Sequence, residues 1–318
     1  VEVQRAPVNG IELAYETFGS PGHAPIVLVM GLGTQMIAWP EPLCEGLAER
    51  GHFVVRFDNR DVGLSTHLRD LRAPRLSDVL LRRQPPPYTI DDMAEDCVGL
   101  IDHLGLDRVH LVGASMGGFI AQTVAVCHPG RLRSLTLMMT STGSRRVGNP
   151  RPALFGRLTR GRVVADRAGA QERAIETFRI IGSRGYAFDE EYLADLAGRS
   201  YDRDHDPGGY LRQLSAIMAQ PDRSARLRTL VVPTLVIHGL HDPLVAPTGG
   251  LAAARLLPQA KFVGYSGMGH DLPRELWADF VAEIAALAAR ADLQAGPTDP
   301  GTDPGSSVAS REPAHRAG

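Results

Sequence analysis

Apolar residues run along this chain in two alternating rhythms. Short stretches rich in Val, Ile, Leu and Phe, bounded by Gly and Pro, predict strands at 11–18, 25–30, 53–57, 109–113 and 134–139. Between them, residues 41–50, 90–104 and 116–128 place apolar positions three and four apart, the period of a helix with one buried face. Near-continuous apolar strands separated by amphipathic helices predict an α/β architecture, a mostly parallel sheet covered by helices on both faces. The rhythm breaks after residue 142. From 143 to 228 the pattern is helical, interrupted by Gly and Pro, with no strong strand. Strand signals resume at 230–238 and 260–265, and a last helix is expected over 273–290. A sheet interrupted in this way predicts a core in two segments, 1–142 and 229–291, carrying a helical cap at 143–228. From 292 to 318 the chain is Pro, Gly, Asp, Ser and Thr with almost nothing apolar, which predicts a disordered tail.

Composition narrows the function classes. The 318 residues are 43% hydrophobic and 22% charged, enough for a sizeable core but not for two full enzyme domains. A net charge of −2 provides no footprint for nucleic acid or a membrane surface as the main partner. The basic residues are arginines apart from Lys261, and the 143–228 segment holds sixteen of them against eleven acids. That excess reads either as a lid attracting anionic substrates or as a solvated arginine-rich surface. Cys44, Cys97 and Cys127 stand far apart in apolar helical stretches, as expected of reduced, buried thiols. No apolar run has the length of a membrane span, and Val1-Glu2-Val3-Gln4-Arg5 lacks the character of a secretory signal, so a cytoplasmic location is expected.

Candidate chemistry starts at Gly113-Ala114-Ser115-Met116-Gly117-Gly118, a G-x-S-x-G pattern. Alone the pattern is weak, but it directly follows an apolar strand and opens an apolar helix, the setting of a nucleophile elbow. A serine hydroxyl needs a base, and the base needs an orienting acid. Asp242 lies in Gly239-Leu240-His241-Asp242-Pro243, just past the end of one late strand. His270 lies in Ser266-Gly267-Met268-Gly269-His270-Asp271, past the end of the last. Asp271 is a rival acid, although a sequence neighbour rarely reaches its own histidine's ring. His238, His241 and Asp242 lack a second ligand cluster, so no metal is expected, and no cofactor. For an oxyanion hole the backbone N–H of Met116 and that of Leu32, in Gly31-Leu32-Gly33, are the candidates. Gly31, Trp39, Phe155 and Tyr186 are candidate pocket residues. Other aromatics of the cap, Phe178, Phe188, Tyr192, Tyr201 and Tyr210, could share that lining or form the cap's own core.

The order of strands, the elbow, Asp242 and His270 resemble the α/β-hydrolase superfamily over residues 1–290. That resemblance implies an eight-stranded, mostly parallel sheet with a cap inserted after strand 6, and a serine hydrolase. Met30-Gly31 in place of His-Gly, Trp39-Pro40, and the stretch from Val55 to Ser65 are similar to the methylesterases of anthracycline tailoring. Within that stretch Asp58, Arg60 and Ser65 read as architecture. A serine rather than an aspartate at the elbow argues against dehalogenase or epoxide hydrolase chemistry. A small-molecule carboxylic ester, cleaved through an acyl-enzyme, is the expected substrate. The same residues would also serve a lactonase, thioesterase, C–C hydrolase or cofactor-free perhydrolase. A non-catalytic binding protein on this scaffold is the remote alternative.

Overall fold

The computed structural model describes residues 1–151, 154 and 164–295. Its strands are β1 (Gln4–Val8), β2 (Ile11–Phe18), β3 (Ala24–Val29), β4 (His52–Phe57), β5 (Val109–Ala114), β6 (Leu132–Met138), β7 (Thr234–Gly239) and β8 (Ala260–Tyr265). They form one sheet in the order β1-β2-β4-β3-β5-β6-β7-β8. Strands β3 to β8 pair in parallel, while β2 runs antiparallel to both β1 and β4. β1 is absent from the apolar pattern because only Ala6 and Val8 of its five residues are buried. The local signal for it is Asn9-Gly10, both at positive φ, which closes a two-residue hairpin between Val8 and Ile11. β7 starts later than the apolar run suggests, after Pro233, which has no N–H to give a ladder.

Each face of the sheet has its own core. On one side, α3 (Ile90–His103) and α4 (Met116–Cys127) pack Met93, Cys97, Ile101, Ile120 and Val124 against Val27, Val29, Leu111 and Leu135. On the other, α1 (Glu41–Ala48) and the last helix (Trp277–Ala295) pack Leu43, Leu47, Phe280 and Ile284 against Ile26, Leu28 and Val112. The short α2 (Leu76–Leu80) lies in the long connection between β4 and α3. Two expectations need correction here. The last helix continues through residues 292–295, which were assigned to the tail, because Ala291 is buried and Asp292 pairs with Arg133 at 3.0 Å. The remainder of that tail lies outside the described residues. Cys127 is exposed, whereas Cys44 and Cys97 are buried and their thiols are pushed up to about 12 by desolvation.

Between β6 and β7 the described chain is helical: α5 (Arg167–Ile181), α6 (Glu190–Arg203), α7 (Pro207–Ala219) and α8 (Ser224–Leu227). An aspartate caps each of the first three, Asp166, Asp189 and Asp206 accepting from the N–H of Gly169, Tyr192 and Gly208. Two of the inserted arginines are turned inward onto carboxylates of the core. Arg203 reaches Asp58 at 2.7 Å, and Arg212 grips both oxygens of Asp61 at 2.8 and 2.7 Å. Asp58 and Asp61 are fully buried in the loop after β4, where burial raises the pKa of Asp58 despite the guanidinium beside it. The loop is further tied by Arg60 to Asp96, at 2.6 Å from each oxygen, and by Ser65 Oγ to the Asp58 carbonyl. Part of the insertion's positive excess is thus spent on docking it to the sheet. One more α-helix, α9 (Thr248–Leu256), precedes β8, and the last helix, from Trp277, is α10.

Candidate active site

β5 ends at Ala114 and α4 starts at Met116, so Ser115 alone makes the turn, at φ 55° and ψ −115°. A side-chain-bearing residue in that region is strained, and the surrounding bonds hold it there. Ser115 N–H donates to the Met138 carbonyl at 2.9 Å, its carbonyl accepts from Thr140 Oγ1 at 2.8 Å, and the Gly118 N–H closes on it at 3.0 Å. The flanking glycines are required by contact. A Cβ on Gly113 would run into the Gly117 carbonyl, and one on Gly117 into the carbonyl of Val29. The turn stands at the N-terminus of α4, where unpaired N–H groups and the helix dipole favour negative charge.

From this turn Ser115 Oγ lies 3.0 Å from His270 Nε2, and His270 Nδ1 lies 2.7 Å from Asp242 Oδ2. Nδ1 faces a carboxylate and so donates, which leaves Nε2 to accept from the serine hydroxyl. Asp242 Oδ1 accepts from the N–H groups of Leu244 and Val245 at 2.8 and 2.9 Å, so the carboxylate is fully buried yet satisfied on both oxygens. Behind it, His238 donates Nε2–H to the Val245 carbonyl at 2.8 Å, and burial lowers its pKa, keeping the ring neutral against Asp242. His241 Nδ1 accepts from the Gly267 N–H at 2.9 Å. Both histidines thus brace the loops that carry Asp242 and His270.

Asp271, the rival acid, faces away from the ring. Its carboxylate accepts from Ser183 Oγ and from Ser183 N–H, at 2.5 and 3.1 Å, and burial raises its pKa. Ser183 Oγ in turn accepts from Gly269 N–H at 2.9 Å, and His270 N–H donates to the Ile181 carbonyl at 2.8 Å. The imidazole loop is therefore knitted to the end of α5.

A cavity of roughly 970 Å³ opens over Ser115, and its wall is predominantly apolar. Gly31, Leu32, Met116, Phe119 and Met139 line it from the core, and Phe178, Tyr192, Leu196, Tyr210 and Leu214 from the insertion. Gly31 allows the closest approach, since a Cβ there would stand 3.2 Å from that of Ser115. Two candidate pocket residues are elsewhere. Trp39 is fully buried in the core under α1, because Arg56 binds its carbonyl and the turn at Met36–Ala38 sends the ring inward, so Ala38 and Pro40 reach the cavity instead. Tyr186 packs against the same core, and Ala187 and Phe188 line the cavity in its place. Tyr201 donates to the Ala165 carbonyl at 3.3 Å and is not part of the wall. Phe155 lies outside the described residues. The sequence reading missed Met139, at the end of β6 with φ 49°, and Leu196, Leu214 and Met218, whose apolar spacing suits helix packing as well as a cavity wall.

Among the described residues, Asp61, His67 and Asp206 offer side-chain atoms close enough together to hold a metal ion. The Arg212 guanidinium already occupies that position, 2.7 Å from Asp61 and 3.0 Å from Asp206, and supplies the positive charge an ion would bring. No described helix is long and apolar enough to cross a membrane.

Comparison with known proteins agrees with the architecture. Rhodomycin D methylesterase DauP of Streptomyces sp. strain C5 is 28% identical, with 87% of this chain and 94% of that protein aligned. Its counterpart DnrP of Streptomyces peucetius is 29% identical over the same shares. The enol-lactonase from Burkholderia xenovorans LB400 superposes with a TM-score of 0.71 at 27% identity, covering 90% of this chain and 100% of that one. The profile of the alpha/beta hydrolase fold family matches residues 24–273. That match runs from the first parallel strand to beyond His270 and includes Ser115, Asp242 and the helices inserted between β6 and β7, and the chain belongs to the alpha/beta hydrolase fold family, as one of its hydrolases.

Proposed function

We propose that the chain hydrolyses carboxylic esters through an acyl-enzyme on Ser115. The observation that carries this reading is the continuous hydrogen-bonded line from Ser115 Oγ through the His270 ring to Asp242, at the floor of a large apolar cavity. Ser115 Oγ attacks the ester carbonyl while His270 Nε2 takes its proton, and Asp242 holds the ring in the tautomer that can do so. The oxyanion that forms is met by the N–H groups of Leu32 and Met116. His270 then returns the proton to the departing alcohol and activates the water that releases the acid. The helices inserted between β6 and β7 act as a cap, providing the upper wall of the pocket.

The substrate class follows from the wall. A volume of roughly 970 Å³ walled by Phe178, Tyr192, Tyr210 and several Leu and Met side chains suits a bulky apolar acyl group with a small alcohol. The methylesterases among the relatives support the same division. A second reading, opening of a lactone, is favoured by the likeness to the enol-lactonase, since a lactone forms the same acyl-enzyme with its leaving alcohol still attached. A panel of methyl esters of aromatic polycyclic acids, short p-nitrophenyl esters and enol lactones distinguishes them. The expected result is highest kcat/KM on the bulky methyl esters. A kcat/KM at least tenfold higher on the lactones would replace the ester reading.

A further inference from the structure

The loop after β3 carries Gly31 and Leu32, one side of the proposed oxyanion site, and almost nothing of the sheet holds it. Asn59 Nδ2 donates to the Met30 carbonyl at 3.0 Å where the loop begins, and Asp58 Oδ1 accepts from Met36 N–H at 2.6 Å where it ends. The residues between are gripped from the insertion. Gln213, on α7, is fully buried, and its Oε1 accepts from Gly33 N–H at 2.7 Å while its Nε2 donates to the Arg60 carbonyl at 2.8 Å. Gln35 donates to the Ser200 carbonyl at 2.7 Å and accepts from Arg203 at 2.8 Å, both on α6.

Gly33 is the point where the loop most needs support. It sits at φ +61°, with the Tyr210 ring packed so closely that a Cβ would lie 2.7 Å from it. Within the loop only Thr34 supports this turn, its Oγ1 donating to the Leu32 carbonyl at 3.0 Å and its N–H to the Gly31 carbonyl at 3.3 Å, so loss of the Gln213 bond frees the Gly33 N–H and lets the backbone around Leu32 shift relative to Ser115. A buried amide whose donor and acceptor ends are both used has one orientation, because inverting it would face donor to donor and acceptor to acceptor. Its partners, Gly33 and Arg60, lie in the two core loops that meet beneath the insertion.

We infer that Gln213 is a positioning residue for the oxyanion site: the insertion provides the side chain that fixes the Gly31-Leu32-Gly33 loop against Ser115. This rests on the reading of Ser115 as nucleophile and of Leu32 N–H as an oxyanion donor. It makes the insertion part of the catalytic machinery as well as a wall of the pocket. Gln213 touches no substrate, so its effect appears where negative charge develops and not in ground-state binding.

The test compares the parent with Gln213→Met, which conserves volume and removes both hydrogen bonds, and with Gln213→Leu. Active sites are counted by labelling with a fluorophosphonate, and kcat and KM for p-nitrophenyl butyrate are expressed per labelled site. A trifluoromethyl ketone, which forms a tetrahedral oxyanion on the serine, reports transition-state affinity directly. The expected result is kcat lower by about 10–100-fold, short of the loss of a whole oxyanion donor, with KM within about twofold. The inhibitor constant should rise by the same factor as kcat/KM falls. A parental kcat per labelled site, or a fall in kcat/KM that the ketone does not share, overturns the inference. In the parent itself the Gly33 amide should be protected from hydrogen exchange, and rapid exchange there overturns it even if neither variant folds. Ser115→Ala run alongside separates the two levels. If it still turns over, the reading of the nucleophile fails; if it is inactive and Gln213→Met is not impaired, only the role of Gln213 fails.

Discussion

Removal of the Arg212 guanidinium tests whether the insertion is held by its buried ion pairs or merely decorated by them. Arg212 and Asp61 have 3% and 0% of their side chains exposed, and the pair is bidentate at 2.8 and 2.7 Å. A second carboxylate, Asp206, adds a contact at 3.0 Å. Taking away one member leaves Asp61 charged in the interior, which costs about 3–5 kcal/mol. By contrast, Arg199–Asp195 at 2.8 Å has 44% and 58% of its side chains exposed, and pairs of that kind contribute about 0–1 kcal/mol. Arg212→Met should therefore destabilise by about 3–5 kcal/mol in urea unfolding, against less than about 1 kcal/mol for Arg199→Met. At roughly 2–4 °C per kcal/mol, the thermal midpoint should fall by about 6–20 °C. Asp61→Asn in the Arg212→Met background should recover part of the loss, because it neutralises the stranded charge and asparagine tolerates the positive φ of 67° at this position. A loss below about 1 kcal/mol for Arg212→Met, or no recovery in the double variant, would refute this account of how the insertion docks.

Asp242→Asn should lower kcat by about 10²–10⁴-fold by mis-orienting His270, while Asp271→Asn should cost less than about tenfold because its carboxylate serves Ser183. Equal losses, measured with p-nitrophenyl butyrate, would reopen the choice of acid. Acid sensitivity should come partly from His110, which burial lowers from 6.5 to about 4 between His52, Arg133 and Asp292. The unfolded chain takes up that proton first, so stability should drop as pH falls from about 6.5 towards 4, by up to about 3 kcal/mol, and His110→Gln should flatten that window in urea titrations.

What could be read from the linear chain divides along physical lines. Strands buried on both faces announce themselves as apolar runs, and the tight turn at Ser115 leaves a local trace because only glycine fits at 113 and 117. Asp242 and His270 follow strand ends, so a correct order of strands is enough to bring them to the same edge as Ser115. Edge strand β1 lacks an apolar signature and is missing from the sequence pattern; its one local trace is the Asn9-Gly10 turn that joins it to β2. The cavity wall was harder, since whether an aromatic faces a cavity or a core depends on how the inserted helices rotate and dock. Trp39 lies beside residues that line the cavity yet is buried beneath α1. Gln213, between Arg212 and the apolar Leu214, has no pattern of its own, and its importance emerges only when α7 meets the loops at Gly33 and Arg60.

The central claim is a covalent acyl intermediate on Ser115, and stopped-flow hydrolysis of p-nitrophenyl acetate beside Ser115→Ala addresses it most directly. The account predicts a p-nitrophenol burst approaching one equivalent per protein, an acetylated Ser115 in the quenched reaction by peptide mass analysis, and neither signal in the variant. A burst that persists in Ser115→Ala, or acetyl groups found on a different residue, would contradict it.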